Sequence, residues 1–330
     1  MDEAQSSALF ELLWKYRRLF LPPSRLGTAK LPPHDIVVTT AKPLSQQPYR
    51  ANPAKAAVIE EEVAKLKASG CVEDSVSAWA SPVVLVPKPD KSNRFCVDFR
   101  ALNAHTVRDV YPLPRITDTL HLLGGKSYFT SLDLLSGFFQ IPLSEEAKLK
   151  TAFITPSGLY QFKVLAMGLA NAPATFQRAM DHVLGGLKFV CVLIYIDDAI
   201  IFSSTWEQHL KDLEAVFHRL TEYSLFVKPN KCSFGANSLL YLGHVVTSDG
   251  LKPSDKHVQA VRDFPLPLTK TQLKSFLGLA SFNRSFIPDF ARVTDPLRNL
   301  LRDHVPPDLT GTITTSAVSY THLRAHETDI

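Results

Sequence analysis

The stretch that most constrains this chain is Tyr195-Ile196-Asp197-Asp198, set between the apolar runs Phe189–Ile194 and Ala199–Phe202. Adjacent carboxylates in so apolar a context lose several kcal/mol of hydration on burial unless something offsets their charge. The β-branched flanks predict two strands of a hairpin with the aspartates at its turn. Two readings are open. A plain surface turn leaves both carboxylates in water, whereas a divalent cation would neutralise them and give the site a purpose.

A chain of 330 residues, 45% apolar and 21% charged, has the balance of a globular protein with two or three domains. Its net charge of +4 is too small to argue for nucleic acid by itself. Between Lys252 and Arg302, however, nine Lys/Arg face four Asp. That excess suits either a phosphate backbone or a solvated helical face. Cys71, Cys96, Cys191 and Cys232 show no zinc spacing. Cys96 and Cys191 lie in apolar runs and are expected in the core, as in a reducing, intracellular compartment. Neither a signal peptide nor a membrane span is expected.

Leu9, Leu12, Leu13, Tyr16 and Phe20 share one face of a helix expected over 4–20. Residues 21–51 read as an extended wrapping segment, and Asn52-Pro53 opens a helix that Gly70 closes. Strands are expected at Val83–Val86, Phe95–Phe99 and 127–133, and a hairpin at Thr151–Thr155 with Tyr160–Val164. Helices are expected over 116–123, after the cap Asn171 and after the cap Thr205. Further strand pieces lie around Phe226 and through Leu239–Val246. From Ser254 the pattern turns helical, with a Thr269-x-x-Gln272 capping box.

Asp133 closes the strand Ser131-Leu132-Asp133, and the chain then turns through Leu134, Ser136 and Gly137 towards Phe138. This sets a carboxylate beside free backbone N–H groups, as a metal-bound polyphosphate requires, or makes an ordinary Asx turn. Lys88 and Arg94 flank a hairpin from which they could reach a triphosphate, while Asp98 and Arg100 could equally form a structural ion pair.

Taken together, these words resemble the reverse transcriptase of gypsy-type LTR retrotransposons, from about residue 10 to about residue 302. The matching words are Trp79-Ala80-Ser81-Pro82-Val83, Val97-Asp98-Phe99-Arg100-Ala101-Leu102-Asn103, Leu132-Asp133-Leu134 with Ser136-Gly137-Phe138, and Asn171-Ala172-Pro173-Ala174-Thr175-Phe176-Gln177. Tyr195-Ile196-Asp197-Asp198, Leu240-Tyr241-Leu242-Gly243-His244 and Ser275-Phe276-Leu277-Gly278-Leu279 complete them.

The resemblance implies an α+β right-hand polymerase with fingers, a palm of small antiparallel sheet backed by helices, and a helical thumb. It divides the chain into an N-terminal helix and wrapping segment (1–50), fingers (51–125), a palm with a fingers insertion near 145–170 (126–250), a thumb (251–304) and a tail (305–330). It implies RNA-directed DNA polymerase activity on an RNA or DNA template–primer with dNTPs, and Mg²⁺ as cofactor, with Mn²⁺ able to replace it. Asp133, Asp197 and Asp198 would be catalytic and bind the metals, with the Leu134 carbonyl as a further ligand. Lys88, Arg94, Ser136, Gly137, Phe138 and Met167 would meet the nucleotide, Phe138 by leaving no room for a 2′-OH. Tyr195, Leu242, Gly243 and His244 would meet the primer.

Asn93 stands where the family has Trp and Lys91 where it has Gly, and Pro87 and Pro89 flank Lys88. Ala166-Met167-Gly168 replaces Pro-Phe-Gly. The residues of a protease, RNase H or integrase site are missing, so the chain is expected to be a fragment of a longer polyprotein or a truncated copy. A non-catalytic nucleic-acid-binding remnant is the alternative, and an RNA-directed RNA polymerase a lesser one. Residues 305–330 depart from this texture; Gly311 to Ile330 lack periodicity, with His322 and His326 an incidental pair, and about the last 20 residues are expected to be read-through or joined foreign sequence.

Overall fold

The computed structural model describes residues 2–21, 23, 25–87 and 93–302, apart from the side chains of residues 117 and 118. Lys88, most of the turn that carries it and the tail with His322 and His326 lie outside the described residues. The described chain divides into two compact units, residues 2–122 with 126–236, and residues 123–125 with 237–302. The second unit takes in the strands after 237, which the expected 126–250 grouping joins to those before 236.

In the first unit, helix α1 (Glu3–Lys15) is held by a capping box between Asp2 and Gln5. It ends earlier than expected. A 3-10 turn over Arg17–Phe20 swings Leu19 into the core and sets Phe20 edge-on to Phe217. Helix α2 (Pro53–Ala68) starts as its sequence dictates, with Asn52 Oδ1 accepting from the Lys55 N–H at 2.9 Å. Strands β1 (Val72–Asp74), β2 (Ser81–Pro87) and β3 (Asn93–Val97) follow, then helices α3 (Arg100–His105) and α4 (Ile116–His121). Strand β4 (Tyr128–Asp133) leads through a 3-10 turn at Gly137–Gln140 to α5 (Glu145–Lys150), β5 (Phe153–Thr155) and β6 (Gly158–Phe162).

The order β1-β6-β5-β2-β3 makes one five-stranded sheet. Its β2–β5 pair is parallel, so the 145–165 segment is built into the sheet begun by residues 72–97. Cys96, expected in the core, is only half-buried because β3 is an edge strand.

Helix α6 (Ala172–Val183), strands β7 (Val192–Tyr195) and β8 (Asp198–Ser203), helix α7 (Trp206–Glu222) and strand β9 (Ser233–Ala236) complete the unit. The order β7-β8-β4-β9 is antiparallel throughout. Helices α6 and α7 back this sheet, burying Phe176 and Met180, and Leu213, Phe217 and Leu220. Two expectations need correction. Phe189–Cys191 is a turn and not strand, with Phe189 at φ +65°. Asn171 begins α6 without capping it, because its side chain accepts from the Asp109 N–H and donates to the Val107 carbonyl.

In the second unit, β10 (Ser238–Tyr241), β11 (His244–Thr247) and β12 (Gly250–Pro253) form an antiparallel meander. The single strand expected through 239–246 is thus a hairpin that turns at Leu242-Gly243. Helices α8 (Asp255–Arg262), α9 (Lys270–Phe282) and α10 (Phe290–Asn299) follow, α9 with the Thr269–Gln272 capping box in place. Val261, Leu273, Phe276, Ile287 and Leu297 form their core. Among the described residues no helix is long and apolar enough to cross a membrane.

Candidate active site

The β4–β8 register sets Asp133 directly opposite Asp198. Side chains so paired share one face of the sheet, and like charges there repel. Asp197 follows one residue before, in the β7–β8 turn. Its Oδ1 is buried with no hydrogen-bond partner. Burial first, then Asp198 and Asp133, pushes the Asp197 carboxyl up to about 6, against the pull of Lys231. Lost hydration and Asp133 raise Asp198 too, although its residue keeps an exposed edge.

The turn is strained. Ile196 has φ +54°, a conformation that β-branched residues avoid at a cost of roughly 1–3 kcal/mol. Gln177, fully buried on α6, over-determines it. Its Oε1 accepts from the Ile196 N–H at 2.9 Å, and its Nε2 donates to the Ile194 carbonyl at 3.3 Å and to Asp181 Oδ1 at 3.0 Å.

The segment after Asp133 is shaped to the same space. Ser136 is left-handed at φ +48°. A Cβ on Gly137 would stand 3.0 Å from both Asp197 Oδ1 and Phe176 Cζ, so only glycine fits without displacing the carboxylate. Phe138 is half-buried, edge-on to Phe176 with centroids 5.2 Å apart. Leu134 is buried and bridges to Val227. Gln140 ties the far side, donating to the Leu135 and Phe226 carbonyls at 2.9 Å and accepting from the Phe226 N–H at 2.7 Å.

Lys231 was not singled out by sequence. Its Nζ stands 3.2 Å from Asp133 Oδ2. The Leu134–Val227 bridge, the Lys228 N–H on the Asp133 carbonyl and the β4–β9 pairing bring it there, across 98 residues of chain, so no local signal marks it.

The donors suit a hard divalent cation: three carboxylates, one with an orphaned buried oxygen, around a cradle that a single Cβ would fill. Among the described residues no three His, Cys, Asp or Glu side chains already stand close enough to enclose a metal. Mg²⁺ does not need that, since it is bound through one or two carboxylates together with waters and substrate phosphates.

The remaining sequence candidates are spread out. Tyr195 ends β7, half-buried. Arg94 is exposed on β3, in the five-stranded sheet and not the sheet of Asp133. Asp98 and Arg100 form an ion pair, Nε to Oδ1 at 2.8 Å and Nη2 to Oδ2 at 2.7 Å, with Tyr49 donating to Asp98 as well. Arg100 holds the Asp98 carboxyl well below the usual range. Met167 is exposed, on a loop that Asn103 clamps by donating to the Gly168 carbonyl and accepting from the Ala170 N–H, both at 2.8 Å.

Leu242, Gly243 and His244 belong to the second unit. His244 is buried there, stacked on Phe282 at 4.9 Å, with Nδ1 3.1 Å from the Leu242 carbonyl. A cavity of about 530 Å³ lies on the other face of α6, lined by His34, Thr175, Arg178 and His182 among others. None of the three carboxylates lines it.

The family described as "Reverse transcriptase (RNA-dependent DNA polymerase)" matches residues 86–246. The chain is similar to three Drosophila melanogaster Pol polyproteins. It is 35% identical to that of transposon 297 over 93% of this chain, 39% to that of transposon opus over 89%, and 36% to that of transposon gypsy over 82%. It spans only 30%, 30% and 27% of their respective lengths. Among solved structures it is similar to foamy viral protease-reverse transcriptase. The complex with RNA/DNA hybrid has TM-score 0.84 and 26% identity, covering 99% of this chain and 44% of that one. The complex with dsDNA has TM-score 0.88 and 26% identity, covering all of this chain and 69% of the other.

Proposed function

Since residues 86–246 belong to the reverse transcriptase family and the chain to the gypsy-type Pol relatives, we propose that it is an RNA-directed DNA polymerase extending a primer 3′-OH with dNTPs. The observation that carries this reading is the meeting of Asp133, Asp197 and Asp198 at two strand ends, with Asp197 Oδ1 buried and unpartnered.

Asp133 and Asp197 hold Mg²⁺, or Mn²⁺ in its place, with Asp198 as supporting charge and the Leu134 carbonyl as a further ligand. Divalent cations supply there a lowered pKa for the primer hydroxyl and neutralisation of the triphosphate and leaving pyrophosphate. The chain's own groups do the positioning. Gln177 fixes the turn that aims Asp197. The Ser136 and Gly137 N–H groups lie beside the triphosphate, with Arg94 and Lys88 reaching it from the fingers and Met167 near the nucleotide. Phe138, braced by Phe176, closes the space a 2′-OH would need.

Tyr195 and the backbone of Leu242-Gly243 meet the primer, with His244 shaping that turn from within. In this reading residues 51–125 with 145–170 are fingers, the β4–β7–β8–β9 sheet is the palm, and the basic 252–302 segment grips an RNA or DNA template–primer by phosphate contacts.

Primer extension on an RNA template with dNTPs and Mg²⁺, run beside Asp197→Asn, tests this. Extension by the parent, reduced roughly a thousandfold or more in the variant, is expected. Template–primer binding without extension by the parent would overturn it in favour of a non-catalytic remnant.

A further inference from the structure

We infer that Lys231 is a resident counter-cation of the acidic site, which a divalent metal must displace from Asp133 before the site can load. The inference rests on the proposed metal-binding role of the three aspartates. Lys231 Nζ pairs with Asp133 Oδ2 at 3.2 Å. The lysine ends a 3-10 turn, Pro229–Lys231, that is tied to the same aspartate a second time, through the Lys228 N–H donating to the Asp133 carbonyl at 2.8 Å. Backbone and side chain of one metal-ligand residue thus fix where the ammonium stands.

Charge explains why a cation is kept there. Asp133 and Asp198 stand directly opposite each other on neighbouring strands with Asp197 one residue before, and Lys231 Nζ is the cation placed against this group at Asp133. A lysine suits a temporary role. Its charge sits on a flexible four-carbon stem, and its side chain is 57% exposed while that of Asp133 is 29% exposed, so it can swing into water without opening the core. It is also an incomplete neutraliser. One monovalent ammonium on Asp133 leaves Asp197 Oδ1 without a partner, so a divalent ion has more to gain at the same place.

The test is Mn²⁺ affinity of the full chain without nucleotide, read as free Mn²⁺ by electron paramagnetic resonance, together with melting in EDTA. Lys231→Met is expected to bind Mn²⁺ roughly three- to fivefold more tightly, the worth of an exposed ion pair, and to melt lower in EDTA. Lys231→Gln should behave alike, keeping a polar head on the exposed side, while Lys231→Arg should stay near the parent. Unchanged or weaker Mn²⁺ binding in the Met and Gln variants overturns the inference alone, provided the parent's binding is lost in Asp197→Asn. If the parent binds Mn²⁺ no better than Asp197→Asn does, the metal-site reading itself falls, and this inference with it.

Discussion

Two of the molecule's two-residue hairpin turns, Leu242-Gly243 and Ile196-Asp197, have opposite character. At Leu242-Gly243 both residues are left-handed, φ +48° and +81°, the type I′ geometry that matches strand twist, and glycine takes one of the two positions. At Ile196-Asp197 the left-handed position falls on a β-branched residue, which has no local reason to adopt it. The first turn packs on aromatic side chains of its own unit; the second depends on one buried amide, Gln177, reaching across from α6. A turn that forms from its own sequence needs only packing. A turn that aims a carboxylate is strained, charged and held from outside.

Substitutions can break this contrast, and the largest effect belongs to the charge. Asp197→Asn should abolish extension yet raise the melting temperature of the metal-free protein, since it removes one of three repelling groups and a buried carboxyl pushed up to about 6. A lower melting temperature would mean that the carboxylate is structurally satisfied after all.

The sheet beneath the strained turn carries a buried polar network. His209 Nε2 meets Thr130 Oγ1 at 2.8 Å and its Nδ1 meets Ser203 Oγ at 3.0 Å. Burial pushes this histidine down to about 4. Unfolded chain takes up the proton near pH 6.5 while folded chain does not, so stability is full above that and falls as pH drops from 6.5 towards 4. The loss from this histidine is roughly 3 kcal/mol, and because the raised Asp197 and Asp198 carboxyls gain stability over the same fall in pH, it is read as the difference between the parent and His209→Gln in denaturant titrations at pH 7.5 and pH 4.5, the parent losing more.

Gln177→Ala leaves the Ile196 N–H and Ile194 carbonyl unsatisfied in a dry site, and should destabilise by about 2–3 kcal/mol in equilibrium unfolding. The smallest effects have opposite signs in the two turns. Ile196→Gly relaxes the left-handed position and should change stability by less than about 1 kcal/mol, towards stabilisation. Gly243→Ala should destabilise by about 1–2 kcal/mol, because its Cβ would meet His257 Cε1 and Phe282 Cζ at 2.8 Å. Equal effects at both positions would remove the distinction.

Local sequence signals hold where the physics is local. Asn52, Thr205 and the Thr269–Gln272 box cap their helices through bonds three residues away. Periodicity sets Asp133 at a strand end and the Asp197-Asp198 pair at a hairpin turn, and the structure moves only Asp198, into the first position of β8. Boundaries failed where packing overrode propensity, as when Leu19 and Phe20 turned the first helix into a 3-10 turn. Asn171 failed for a related reason: a capping residue beside a better partner on another segment makes the distant bond instead.

The sequence by itself determined the family, the α+β texture and the three carboxylates, because each is written in a short run of residues. Only the tertiary structure decided what surrounds those carboxylates. Gln177 under the turn, Gln140 behind the Asp133 loop, Gly137 against Asp197 and Lys231 on Asp133 all depend on strand register and helix placement. Side-chain hydrogen bonds and ion pairs between distant segments leave no periodicity along the chain, so the groups that aim and neutralise the site became visible only once the sheet had closed.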